Sequence, residues 1–128
     1  MNIQKNFSVQ GKRVLVTGAG TGIGRGIALA FAEAGAHVVF HYSHSAKGAV
    51  EAEAKAKEMG IRTKIMQADF TDIESVRSLG RQAIDFLGGI DVLVNNSGIT
   101  LNMPFLDVTS EQYETLFAVN IRALFFLT

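Results

Sequence analysis

Five places in this chain hold residues able to do chemistry. The first is Thr17-Gly18-Ala19-Gly20-Thr21-Gly22-Ile23-Gly24. Glycines let the backbone turn sharply and leave no Cβ in a ligand's way. A helix opening behind such a turn offers its free first-turn N–H groups and the positive end of its dipole, and a phosphate suits both. The second place is Tyr42-Ser43-His44, where a hydroxyl and an imidazole could receive a further phosphate. The third is Asp69-Phe70, a carboxylate for an adenine amino group followed by a backbone N–H for a ring nitrogen. The fourth is Asn95-Asn96-Ser97-Gly98, whose amides can bond a neighbouring loop and whose glycine admits a ribose. The fifth is Asn120, an amide on an apolar helix stripe with Leu116, Phe117 and Leu124. A buried amide left unpaired costs about 1–3 kcal/mol, so this one is expected to be bonded or functional.

These places need a scaffold that gathers them. Val14 to Val16 is a short apolar run ahead of the glycines, and a first strand is expected over 13–17. A first helix follows over 22–34, with Ile23, Ile27, Phe31 and Ala34 on its inner face and Gly35 as its stop. The second strand is 36–42. Ser45 is placed to cap a second helix that runs to Met59, with Ala49, Ala52, Ala56 and Met59 inward. Its pairs Glu51–Lys55 and Glu53–Lys57 are read as a solvated face. The third strand is 63–68. Asp72 caps a third helix with the stripe Ile73, Val76, Leu79, Ala83 and Phe86, ended by Gly88-Gly89. The fourth strand is 90–94, apolar enough for a sheet covered on both faces.

Past Pro104, Thr109-Ser110-Glu111-Gln112 has capping-box spacing, with Val108 and Tyr113 as its staple. One helix is expected from there to the end, and its last turn, Leu124-Phe125-Phe126-Leu127, is apolar all round. Strand and helix alternating four times define an α/β fold, a Rossmann-type doubly wound parallel sheet of which this is the first half. Its expected strand order is 3-2-1-4, and its ligands lie beyond the carboxyl ends of the strands. All four loops named above fall there.

The glycine spacing is selective. In a G-x-G-x-x-G frame begun at Gly18 the third position is Ile23, and begun at Gly20 it is Arg25. No Gly-Lys-Ser/Thr follows, so a Walker loop is excluded. The arrangement that fits is Thr17-Gly18-x-x-x-Gly22-x-Gly24. After a first strand it resembles the cofactor turn of the short-chain dehydrogenases/reductases, in the manner of 3-oxoacyl-carrier-protein reductases or sugar dehydrogenases. Asp69 resembles the family's aspartate, and Asn95-Asn96-Ser97-Gly98 its N-N-A-G segment with serine for alanine.

The resemblance implies an NAD(P)-dependent oxidoreductase moving a hydride between the cofactor and a small carbonyl or alcohol. It implies cofactor contacts from Gly18, Gly20, Thr21, Gly22, Ile23, Gly24, Tyr42, Ser43, His44, Asp69, Phe70, Asn96, Ser97 and Gly98. Val119-Asn120 is similar to the family's catalytic asparagine, which holds a water in a proton relay. The fourth helix would join subunits of a homo-oligomer. An NAD site usually carries an acid about 20 residues after the glycines. None stands between Val38 and His44, so NADP is favoured over NAD, with Thr21 standing against it where many NADP users carry arginine.

The family's Ser and Tyr-x-x-x-Lys are not found here. Tyr42 and Tyr113 have Ala46 and Phe117 at the lysine position. The chain stops inside the fourth helix, and residues 1–128 are expected to be an NAD(P)-binding domain cut before those elements and inactive alone. Other readings remain open: Asp69 as a plain helix start, 95–98 as an ordinary turn, and Asn120 as a core amide. A regulatory nucleotide binder is the main rival for the whole. A methyltransferase fits less well, lacking an acid after the second strand.

Composition narrows the remaining classes. The 128 residues suit one domain, and 48% are hydrophobic. Twelve basic and twelve acidic residues cancel, which gives no electrostatic footprint for nucleic acid or a membrane surface. There is no cysteine, hence no disulfide or thiolate metal site. His37, His41 and His44 flank the second strand without an acidic cluster, so no metal is expected and an edge or surface role is read for them. No signal segment or membrane-length apolar run is visible, and a cytoplasmic location is expected.

Overall fold

The computed structural model describes residues 3–128. A single helical turn, α1 (Ile3–Asn6), stands where only a polar lead-in was expected. Then come β1 (Arg13–Val16), α2 (Gly22–Glu33), β2 (His37–Tyr42), α3 (Lys47–Lys57), β3 (Thr63–Gln67), α4 (Ile73–Leu87) and β4 (Val92–Val94). A 3₁₀ turn at Phe105–Asp107 leads into α5 (Ser110–Phe117), a π turn at Ala118–Arg122, and α6 (Ala123–Leu127). The four strands are parallel in the order β3-β2-β1-β4, as the alternation required.

Strand alternation sorts the core into two layers. Val14, Val16, Val38 and Phe40 face α2 and α3, where Ala28, Ala32, Ala52 and Ala56 are buried. Leu15, Val39 and Met66 face the other way, onto Val76, Leu79 and Ala83 of α4 and Ala123 of α6. Register is continuous across the sheet, with Val14 beside both Val38 and Val92. The carboxyl ends of the strands are therefore level, and their loops share one rim.

Several local expectations are corrected. Ile23 is 77% exposed and Ala34 is also exposed. The face of α2 that meets the sheet is Gly24, Ala28 and Ala32, because small side chains let the helix sit close while Ile27 and Phe31 flank it. Ser45 does not cap α3. Ala46 precedes the helix in helical conformation with no side-chain cap. The contact that sets this end is tertiary: a Cβ on Gly48 would run into the carbonyl oxygen of Gly20.

Met59 is partly exposed, and Glu53, read as solvated, is only 9% exposed. Lys57 pairs with Glu53 at 3.4 Å, whereas Glu51 pairs with Arg25 of α2 rather than with Lys55. On α4 the buried stripe ends in Leu87 instead of Phe86, whose ring lies beneath Arg62 and Lys64.

Asp72 caps α4 as expected, its carboxylate accepting from the Glu74 N–H at 3.0 Å. The capping box of α5 is also present, Thr109 and Gln112 each accepting from the other's backbone N–H. The single final helix is not: the π turn divides it. Strand β4 is short and only half-buried, because its outer edge pairs with nothing among the described residues. Ile90 and Asp91 lie before it. There the Asp91 carboxylate accepts from the Arg13 backbone N–H at 2.8 Å and its guanidinium at 2.9 Å twice, locking β4 to β1.

Candidate cofactor site

The rim of the sheet carries an open cleft of about 600 Å³. Every residue expected to touch a cofactor lines it except Gly24. Ser45, Thr71, Ile99 and Val119 line it too and were not foreseen. Each stands beside a better-marked neighbour in sequence, which is the only signal they carried.

The glycine turn is held from below. Thr17 is buried, and its hydroxyl accepts from the N–H groups of Asn96 and Ser97, both at 3.0 Å. The Asn96 side-chain amide donates to the carbonyls of Thr17 (3.1 Å) and Gly18 (3.2 Å). The asparagine segment thus bonds the neighbouring loop, as its composition suggested. Gly24 explains itself in the same place. A Cβ there would collide with the Gly18 carbonyl and the Asn96 amide, so this glycine serves packing of the turn rather than ligand contact.

Gly22 has a different reason. A Cβ would meet nothing within 4 Å, but its φ of 53° is left-handed. Thr21 gives no side-chain cap to α2. The first N–H groups of a helix lack intrahelical partners, so this uncapped end can receive an anion. That is the fit a cofactor pyrophosphate requires.

Across the cleft, Asp69 is shaped by Thr71, whose N–H and hydroxyl both donate to its Oδ1, at 2.9 and 2.7 Å. These donors hold its carboxyl below the ordinary aspartate range, with burial opposing and His44 assisting. It therefore stays an acceptor, the state needed for an amino group. The Phe70 ring, by contrast, is buried and forms part of the floor.

His41 overturns the edge-or-surface reading. It is fully buried. The Gly18 N–H donates to its Nδ1 at 3.1 Å, and its Nε2 lies 3.0 Å from the Ala68 carbonyl. Its ring stacks on Phe70, with centroids 4.4 Å apart and planes 13° from parallel. Burial pushes the imidazole below the ordinary histidine value, and the Ala68 carbonyl only partly offsets this. The available signal was alternation: His41 shares a strand face with Val39.

Asn120 lies in the π turn and does not line the cleft. Its Oδ1 accepts from the Ile99 N–H and its Nδ2 donates to the Ile99 carbonyl, both at 2.8 Å. Two residues on, the Arg122 guanidinium donates to the Thr71 carbonyl at 2.6 Å. One π turn thereby anchors both walls of the cleft. Among the described residues no group of histidines and acids could hold a metal, and no helix is long and apolar enough to cross a membrane.

This fold and cleft define a Rossmann-type nucleotide-binding fold. Residues 12–128 match the short chain dehydrogenase family, and the chain belongs to it. It is 41% identical over 120 residues to the hydroxynaphthalene reductase-like protein Arp2 of Metarhizium majus, covering 94% of this chain and 45% of that one. It is 37% identical over 127 residues to the versicolorin reductase stcU of Emericella nidulans, covering 99% of this chain and 48% of that one. Among solved structures, a short chain dehydrogenase from Burkholderia cenocepacia J2315 in complex with NADP superposes with a TM-score of 0.91 at 38% identity, covering 94% and 49% of the two chains. A blue fluorescent protein from a metagenomic library, in complex with NADPH, gives 0.89 at 38% identity and the same coverage. The chain thus spans about half the length of the relatives it matches.

Proposed function

We propose that this chain is the cofactor-binding half of an NADP-dependent reductase or alcohol dehydrogenase acting on a small carbonyl or alcohol. The observation that carries the reading is the uncapped start of α2 behind a glycine turn, in one cleft with Asp69 and the Asn96–Gly98 segment. Gly18, Gly20, Thr21, Gly22 and Ile23 would hold the pyrophosphate, and Asp69 with the Phe70 N–H the adenine. Ser97 and Gly98 would meet the ribose. When bound, the nicotinamide supplies or takes the hydride.

Tyr42, Ser43 and His44 line the cleft with no acid among them, which favours a 2′-phosphate over a bare ribose diol. The NADP and NADPH bound in two related structures support the same choice. Asn120 would serve the proton relay with a side chain already bonded at both ends to Ile99. The tyrosine, lysine and serine that would complete the proton transfer have no counterpart in this sequence.

The apolar face of α5 and α6 would join copies of the protein, and a cytoplasmic location belongs to the same reading. Calorimetric titration with NADP and NAD tests it: tighter NADP binding is expected, and tighter NAD binding would reverse the cofactor assignment. Assay with either cofactor and a panel of ketones is expected to show no turnover by these 128 residues. Sedimentation is expected to show self-association, and a stable monomer would remove the subunit role of α5 and α6.

A further inference from the structure

His41 is a titratable group that the proposed reaction does not use, yet it touches both sides of the cofactor cleft. Its Nδ1 accepts from Gly18, in the phosphate-binding turn, and its Nε2 reaches the Ala68 carbonyl next to Asp69. Its own backbone carbonyl accepts from the Ala19 N–H at 2.8 Å, which ties the turn to β2 a second time. The partners dictate the tautomer. The Gly18 amide is a donor, so Nδ1 must be bare; Ala68 offers a carbonyl, so Nε2 must carry the proton. A second proton has only one place to go, Nδ1, and there it would face the Gly18 N–H donor against donor.

We propose that His41 is a positioning residue of the dinucleotide site. Only its neutral imidazole holds the glycine turn and the adenine-binding wall together, so protonation opens the turn and weakens nucleotide binding. The neighbourhood offers the charged form no support. β1 and its turn present Gly18 and Ala19 to the ring, and β3 with the loop behind it presents Met66, Ala68 and Phe70. The titratable groups nearby are Tyr42 and His44 on its own strand and loop and Asp69 beyond β3, and none is among the groups that perturb it. Burial disfavours the cation, so acid must either leave His41 neutral or pull it from its place.

The proposal rests on reading the cleft as a nucleotide site, and its test separates the two. Hydrogen exchange of the segment 14–22 is followed without cofactor, by mass spectrometry and corrected for intrinsic rates, from about pH 8 to about pH 5, either side of the usual histidine value of ~6.5. His41→Asn places an acceptor near the Nδ1 position and cannot titrate; His41→Gln reaches the Nε2 position and leaves Gly18 unpaired. At the alkaline end the wild type and His41→Asn are expected to protect the turn alike, with His41→Gln about tenfold less protected. In acid the wild type is expected to lose protection by up to about tenfold per pH unit while His41→Asn does not.

Equal pH dependence in the wild type and His41→Asn would overturn the proposal. So would nitrogen NMR showing a charged His41 with the turn still protected, a measurement that stands even if His41→Gln fails to fold. Fluorescence titration with NADH, which lacks the 2′-phosphate, is then expected to show the same acid-sensitive difference in affinity. His44 and Asp69 are present in both proteins, so whatever they contribute cancels in the comparison. Binding by neither protein at alkaline pH, with acid-sensitive protection intact, would overturn the nucleotide reading alone.

Discussion

The centre of the sheet and its β4 edge are finished differently. At the centre β1 and β2 are paired on both sides, and Val14, Val16, Val38, Val39 and Phe40 are fully buried. At the β4 edge the strand is half-buried along its length, and the π turn and α6 expose Ile121, Phe125 and Phe126. The difference teaches where the site's precision comes from. The glycine turn draws on the covered centre through Thr17 and His41, and Asn96 reaches it from the β4 side. The β4 side contributes a wall, Asn96 to Ile99, that is steadied from outside by Asn120 in the π turn.

Breaking the covered centre should cost most. Gly24→Ala drives a Cβ into the Gly18 carbonyl and the Asn96 amide. It is expected to destabilise the fold by about 1–3 kcal/mol and to abolish NADP binding, measured by urea denaturation and calorimetric titration. Gly22→Ala isolates the backbone contribution, since its Cβ has open space and only the positive φ resists. A loss of about 1–2 kcal/mol is expected. If the two substitutions cost the same, close packing of the turn is not what Gly24 provides.

Asn120→Leu sharpens the comparison from the other side. It frees both backbone groups of Ile99, which is exposed enough for water to replace them. A stability loss of about 1 kcal/mol is expected, together with a larger loss of turnover in a protein that carries the rest of the catalytic set. Unchanged turnover beside lowered stability would make Asn120 a structural amide only.

The Arg13–Asp91 lock joins the two regions, and it responds to acid. The guanidinium and backbone N–H of Arg13 hold the Asp91 carboxyl well below the ordinary range. A carboxyl depressed in the folded state contributes stability that is complete above its unfolded value of ~3.9 and is lost as pH falls toward the folded one. Asp91→Asn is expected to be less stable near neutrality and less acid-sensitive than the wild type, as read from thermal unfolding against pH. The smallest effect on the cleft is expected from Phe125→Ser, on the exposed face of α6. Nucleotide affinity should be unchanged while self-association, read by sedimentation, falls.

Much of the molecule was readable in one dimension because its signals are local. Apolar runs of strand length, helical periods and glycine stops follow the chain, so element order and strand order could be deduced. The caps at Asp72 and Thr109 span only a few residues and were found where their types placed them. The loops that line the cleft followed from one rule about the carboxyl ends of parallel strands, and all but Gly24 of the residues expected to touch cofactor do line it. Periodicity could not say which stripe of α2 lies nearest the sheet, and the apolar Ile23 was assigned inward when the close contact admits only Gly24, Ala28 and Ala32.

Tertiary structure decided what depends on partners distant in sequence. His41 and Asn120 are polar residues whose meaning lies in Gly18, Ala68 and Ile99, and no spacing announces those bonds. Gly48 is required by Gly20, and the π turn divides a segment whose residue types continue as an ordinary helix. A sequence records which side chains are apolar and how they recur. Which backbone amide a buried imidazole must receive is set only when the sheet brings the two within bonding distance.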